Sequence, residues 1–218
     1  IMFAPFHYFF IDNFWERTVY FNYLRPDELT DLYKNARLCG SKTLLKEGLM
    51  DDILSCGLRM PSKYLPALIN AGFYKRYGDN SQIYERLLMQ KGHDFFGRAD
   101  GSSDLNWEVN YDRMHDSGDF VLIDFYLKRL LNRLDNDGCR GMIVQAPMNG
   151  SSYALLKESY VEDFGGYLAE LNAVHKDMLI SSFIPCYDDM YFGDSSHLNE
   201  KGAMKYTAEF VEGYYADD

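Results

Sequence analysis

The last hundred residues alternate two hydrophobic patterns, and this alternation restricts the fold more than any other feature. From Asp119 to about Asp135, apolar residues recur at helical spacing, with Phe120, Ile123, Leu127, Leu130, Leu131 and Leu134 on one face. Asn136-Asp137-Gly138 supplies the stop. Gly141 to Ala146 is a short apolar run closed by Pro147, the pattern of a buried strand. Ser151 to Ser159 predicts a turn into a helix, Gly165 to Val174 a further helix, and Met178 to Phe183 a weaker strand. A helix from Glu200 to Val211 closes the series. Helix, strand, helix, strand, helix predicts an α/β fold with parallel strands joined by crossovers. Sites in such sheets form beyond the carboxyl ends of the strands.

The upstream half is less regular. Ile1 to Phe10 is apolar and reads as a buried strand up to Pro5. Pro26-Asp27-Glu28-Leu29 opens a helix, with proline at an early position and acids in the first turn, and that helix stops near Gly40. Residues 41 to 92 read as mostly helical, through Leu44, Leu45, Leu49, Ile53 and Leu54, then Tyr64, Leu65, Leu68 and Ile69, then Ile83, Tyr84, Leu87 and Leu88. Residues 92 to 118 are polar and turn-rich, the pattern of a long surface loop. The expected organisation is one domain over 1–218, with residues 41–118 as a helical and loop insertion.

One segment reads as chemistry. Asp194-Ser195-Ser196-His197 lies on a short polar turn after the second strand and before the terminal helix. A carboxylate three residues before an imidazole can fix its tautomer and stabilise the imidazolium, while the other ring nitrogen takes a proton from a nucleophile. The same spacing also makes an ordinary cap or surface turn. Past the first strand, Pro147-Met148-Asn149-Gly150 places Asn149 where an amide could donate to an oxyanion, although Asn-Gly is equally a turn former.

Asp194-x-x-His197 followed by Leu198-Asn199 and the small Gly202-Ala203 helix entry resembles the last conserved block of the SGNH (GDSL-like) hydrolase superfamily. The Pro-x-Asn stretch at 147–149 is similar to that of its cell-envelope members, and Phe6 to Leu24 carries a looser likeness to the same branch. The resemblance implies a flavodoxin-like three-layer sandwich and a Ser-His-Asp triad with Asp194 and His197 as acid and base. It also implies Asn149 at the oxyanion hole, and esterase or O-acyltransferase action on an acylated cell-envelope glycan or surface polymer outside the cytoplasm. Any membrane attachment would run through an upstream anchor.

The family's nucleophile block, Gly-Asp-Ser or Gly-Ser-Ser after the first strand, has no clear counterpart. Gly101-Ser102-Ser103 follows no apolar strand, and Gly150-Ser151-Ser152 follows a late one, so both read as plain loops. The family pattern therefore puts the serine upstream of Ile1, with Ile1 to Ala4 as a later strand. The competing expectation is a non-catalytic module that binds a glycan or a protein on a degenerate scaffold of this kind.

Composition narrows the field further. The chain has 33 acidic against 22 basic residues, a net charge of −11, and no basic cluster. Nucleic acid and anionic membrane surfaces are therefore not expected partners. No stretch is long and apolar enough to span a bilayer. Cys39, Cys56, Cys139 and Cys186 lack a zinc-type spacing and read as packed free thiols, with one or two disulfides left open. His7, His93, His115 and His175 show no ligand pattern, so no metal or other cofactor is expected. The 18 Tyr and 15 Phe suit core packing first and a lined cleft second, with Trp15 and Tyr20 as candidates near the first strand exit. Asp188-Asp189 reads as a pair of solvated acids.

Overall fold

The computed structural model describes residues 1–3, 11, 24–47, 69, 72, 76–89, 118–194 and 196–215. The chain divides into two compact units, one of Ile1–Phe10 with Phe95–Asp218, the other of Ile11–Asp94. By contacts the boundaries between the two units fall at Ile11 and Asp94.

In the Ile11–Asp94 unit, α1 spans Pro26–Cys39 and begins and ends on the expected signals. Proline occupies the first turn with Asp27 and Glu28, and the Glu28 carboxylate accepts the Arg25 backbone N–H at 2.8 Å. Gly40 closes it at φ 74°, where a Cβ would be strained, and donates to the Ala36 carbonyl. Leu29, Tyr33 and Ala36 form its buried stripe, and α1 packs on α2 (Lys42–Glu47), whose Leu44 is buried. α3 spans Arg76–Met89 and leaves Ile83, Tyr84 and Leu88 exposed. The stretch from 48 to 68 lies outside the described residues.

The other unit carries mixed helix and strand, with every named strand pair parallel. β1 (Met2–Phe3) pairs with β2 (Gly141–Gln145), which pairs in turn with β4 (Met178–Ile180), giving the order β1-β2-β4. Just beyond, β3 (Met148–Asn149) pairs with β5 (Cys186–Tyr187). α4 (Gly118–Asn136) precedes β2, α6 (Glu158–Val174) is the crossover to β4, and α7 (Glu200–Tyr215) follows the last loop. The core joins Phe120, Leu127 and Leu131 of α4 to Ile143 and Ile180 of the sheet and to Tyr160, Phe164, Tyr167, Leu168 and Leu171 of α6. Phe120 meets the Tyr167 ring edge-on at 5.0 Å, and the Tyr167 hydroxyl donates to Asp124 at 2.8 Å. His175, the buried C-cap of α6, sets its Nδ1 against Asp135 of α4 at 2.5 Å.

Several expectations change here. The helix predicted only from Gly165 starts at Glu158 and runs through Gly165-Gly166. Burial of five large side chains, each worth about 1.5–3 kcal/mol, outweighs a glycine cost of about 1 kcal/mol apiece. Gly150-Ser151-Ser152 is no loop but the start of a short helix, α5 (Gly150–Tyr153). Leu130, assigned to the apolar face of α4, is exposed, because the buried stripe runs through Phe120, Leu127 and Leu131. The opening strand is not buried at its start: Ile1 and Met2 are about half exposed, being on an edge of the described sheet. Cys139 and Cys186 are exposed rather than packed and carry free thiols: Cys139 lies before β2, and Cys186 is the exposed residue of β5, next to buried Tyr187.

Candidate active site

The loop between β5 and α7 is built from the strand outward. Asp188 caps a 3-10 turn (Asp189–Tyr191) by accepting the Met190 backbone N–H at 2.9 Å. The Asp189 carboxylate accepts the Ser151 backbone N–H at 2.9 Å and also the Ser151 hydroxyl, tying this turn to the start of α5. These two acids, expected to be merely solvated, thus hold orphan donors of a turn and a helix. The chain then folds back on itself: Phe192 and Leu198 form an antiparallel bridge, and Gly193 N–H donates to the His197 carbonyl at 2.9 Å.

At the tip of this hairpin the candidate pair forms. Asp194 Oδ1 accepts the backbone N–H of Ser196 at 2.9 Å and of His197 at 2.7 Å. The His197 ring turns its Nδ1 to the same carboxylate, 2.8 Å from Oδ2 and 3.0 Å from Oδ1. Partial burial pushes the Asp194 carboxyl up, but the two backbone N–H groups and the His197 ring outweigh it and hold the carboxyl below its ordinary range. An ionised Asp194 demands a donor at Nδ1, so the neutral ring carries its lone pair on Nε2. Both side chains are nearly half exposed, His197 at 48% and Asp194 at 44%. The Ser196 hydroxyl lies 3.4 Å from Nδ1, the nitrogen committed to Asp194, and so on the wrong side of the ring to be activated.

The base of the loop is tighter than its tip. Asn199 is buried and bonds through backbone and side chain to Met190, Tyr191, Phe192 and Gly202. Gly202 lies so close to the Tyr191 carbonyl that a Cβ there would stand 2.1 Å from the oxygen. This is the physical reason for a small residue at the helix entry.

Asn149 sits past the end of β2 as expected, but its side chain is only 1% exposed, and Oδ1 accepts the Ser152 backbone N–H at 2.7 Å as the N-cap of α5. Ser152 is fully buried. Gly101-Ser102-Ser103, Trp15, Tyr20, His7, His93 and His115 lie outside the described residues. Among the described residues no group of three His, Cys, Asp or Glu could hold a metal ion, and no helix is long and apolar enough to cross a membrane.

Sequence spacing did not reveal a crevice of about 70 Å³ near the carboxyl ends of β2 and β4. Val144, Gln145, Phe183, Tyr187, Tyr206 and Phe210 supply most of its wall. The Tyr206 hydroxyl donates to the Gln145 carbonyl at 3.2 Å, and the Tyr187 hydroxyl to the Glu209 carboxylate. Lys205 pairs with Glu209 and stands 4.6 Å from the Tyr187 ring centre. Burial, then Glu209, pushes the Tyr187 phenol up; Lys205, then the phenol, pulls the Glu209 carboxyl down. The only sequence signal was the aromatic abundance.

Comparison with protein-family models, curated proteins and solved structures gave no match.

Proposed function

We propose that this chain is an SGNH-like serine esterase or O-acyltransferase on an acylated cell-envelope glycan or surface polymer, with a flavodoxin-like three-layer sandwich. The observation that carries the proposal is the orientation of His197: Nδ1 faces an ionised Asp194 at 2.8 Å, which makes Nε2 the basic nitrogen. In the reaction a serine hydroxyl attacks the acyl carbonyl while Nε2 takes its proton. Asp194 stabilises the imidazolium, which then gives the proton to the departing alkoxide. Water or an acceptor hydroxyl, deprotonated in turn by Nε2, attacks the acyl-serine, and the product leaves as the serine oxygen takes the proton back from Nε2. The serine of this reading is the one that the labelling experiment below locates. Asn149 remains the oxyanion candidate of this reading through Nδ2, the amide end opposite its capping Oδ1.

A second reading, a non-catalytic binding module, draws support from the crevice walled by Tyr187, Tyr206 and Phe210, since aromatic walls suit a sugar face or a partner side chain. Labelling with a fluorophosphonate serine probe decides between the two, with His197→Ala as control and mass spectrometry locating the tag. Labelling that disappears in His197→Ala supports the enzyme and names its serine. Absence of labelling in the wild-type native chain refutes the enzyme, and saturable glycan binding without labelling establishes the module.

A further inference from the structure

The crevice at the ends of β2 and β4 differs in chemistry between its floor and its mouth. Val144, Ser181 and Tyr187 are buried and form the floor, while Glu209 and the 62% exposed Phe183 stand at the mouth. Ser181 carries one group that the fold leaves unused. Its N–H donates to the Ile143 carbonyl at 2.9 Å, and its carbonyl accepts the Gln145 amide at 3.3 Å. Its hydroxyl has no hydrogen-bond partner among the described residues, although Ser181 is only 9% exposed. A polar group in such a place costs free energy until a bound molecule meets it.

At the mouth the charges cancel, because Lys205 pairs with Glu209, so the crevice suits a neutral ligand. Lys205 and the Tyr187 hydroxyl pull the Glu209 carboxyl below its ordinary range. It therefore stays an acceptor, with lone pairs beyond those that these two donors occupy. Size decides what enters: about 70 Å³ is roughly half of the ~150 Å³ that holds a benzene ring. A pyranose ring with its hydroxyls is bulkier than benzene and stays outside, whereas a group of a few heavy atoms fits. That group has to be apolar at one end, accept from Ser181 and donate toward Glu209. A secondary amide with a small acyl end meets all three requirements.

We infer that the crevice is a recognition site for the acetamido group of an N-acetylated amino sugar. The methyl group packs on the apolar floor, the carbonyl oxygen accepts the Ser181 hydroxyl, and the N–H faces the Glu209 carboxylate. The sugar ring rests outside, against the exposed Phe183 ring. That ring favours a sugar over an acetylated lysine, which presents the same amide on a flexible chain without a face to stack. Tyr206 and Phe210 lie about 9 and 15 Å along α7 from its first residue, and Asp194 and His197 precede that residue. The assignment does not depend on that pair being catalytic.

Saturation-transfer NMR with methyl N-acetylglucosaminide as the probe tests this. In wild type the acetamido methyl receives the strongest saturation, and methyl glucoside, which lacks the acetamido group, binds far more weakly. Ser181→Ala, shown to be folded by its thermal melt, weakens binding about 2- to 10-fold, the loss of one hydrogen bond. Phe183→Ala weakens the sugar and leaves the binding of a blocked Nε-acetyl-lysine unchanged. His197→Ala binds the sugar as wild type does, so a failed esterase proposal leaves the inference standing. Equal binding of methyl glucoside, saturation centred on the ring protons, or full affinity in folded Ser181→Ala overturns it. Tighter binding of the acetyl-lysine compound than of the sugar overturns the choice of a sugar.

Discussion

Replacing Gly202 with alanine offers a sharp stability test, because two opposing effects can be weighed from the structure. An added Cβ would stand 2.1 Å from the Tyr191 carbonyl oxygen, 2.9 Å from Leu198 Cδ2 and 3.0 Å from the Tyr191 carbonyl carbon. A carbon–oxygen contact needs about 3.3 Å, so one partner must retreat by roughly 1.2 Å. Neither is a flexible side-chain end: the oxygen is backbone and accepts the Asn199 N–H, and the Gly202 N–H is held by Asn199 Oδ1. Overpacking of this kind costs about 1–3 kcal/mol, and a backbone obstruction belongs at the upper end. Against this, alanine gains up to about 1 kcal/mol in a helix interior and less in the first turn, where Gly202 lies. The net effect is a loss of about 1–2 kcal/mol, or roughly 2–8 °C in Tm for a chain of this size. Gly166→Ala is the matched control: the position is exposed in mid-α6, with nothing within 4 Å of a new Cβ, and alanine there should stabilise by about 1 kcal/mol. Thermal melts followed by circular dichroism measure both. A Gly202→Ala protein as stable as wild type would refute the close approach of α7 to the 3-10 turn.

Asp194→Asn should lower ester turnover by about 10⁴-fold, the scale of a mis-set imidazole tautomer, without unfolding the chain. The same variant tests linkage: because the folded Asp194 carboxyl lies below its ordinary range, its contribution to stability is present at neutral pH and lost as pH falls through the folded value. The denaturation difference between wild type and Asp194→Asn should therefore shrink below about pH 4. His175→Ala removes the partner of Asp135 Oδ2 between α4 and α6, in a carboxylate whose Oδ1 is already buried without a hydrogen bond, and should cost about 3 kcal/mol in urea unfolding.

What was legible in the sequence was what depends on near neighbours. The parallel strands at Gly141–Gln145 and Met178–Ile180 show through because continuous apolar runs between helical patterns have few other solutions. Asp194 and His197 show through for a similar reason: their contact spans three residues, and the turn that makes it is written in the intervening backbone N–H groups. Asn149 was placed at the right end of the right strand, yet its Oδ1 direction is decided by an orphan N–H of α5, a helix hidden by Gly-Ser-Ser. The aromatic crevice was invisible because Val144, Tyr187 and Tyr206 converge from positions far apart in sequence. Cys139 and Cys186 misled because nearness to an apolar strand does not bury a residue: Cys139 lies before β2, and Cys186 is the exposed member of β5.

The contrast between the tip and the base of the loop leads to a final prediction. Each bond that Asp194 makes at the half-exposed tip competes with water and is worth about 0.5–1.5 kcal/mol at most. Such bonds choose a local conformation but cannot hold the hairpin against thermal motion by themselves. At the base, the Phe192 side chain is wholly buried and its backbone bridges Leu198 and accepts from Asn199, so here the loop shares in the packing of the unit. Phe192→Ala therefore should cost about 3–5 kcal/mol, as large-to-small changes at buried phenylalanines do. Ser196→Ala, which keeps the backbone N–H that Asp194 accepts, should cost under about 0.5 kcal/mol. Amide exchange of His197 and Asn199 reads the consequence. In Phe192→Ala both amides should exchange faster by several orders of magnitude, since local opening then approaches global unfolding, while Ser196→Ala leaves the Asn199 amide as protected as in wild type. Equal exchange in the two variants would mean that the tip supports itself.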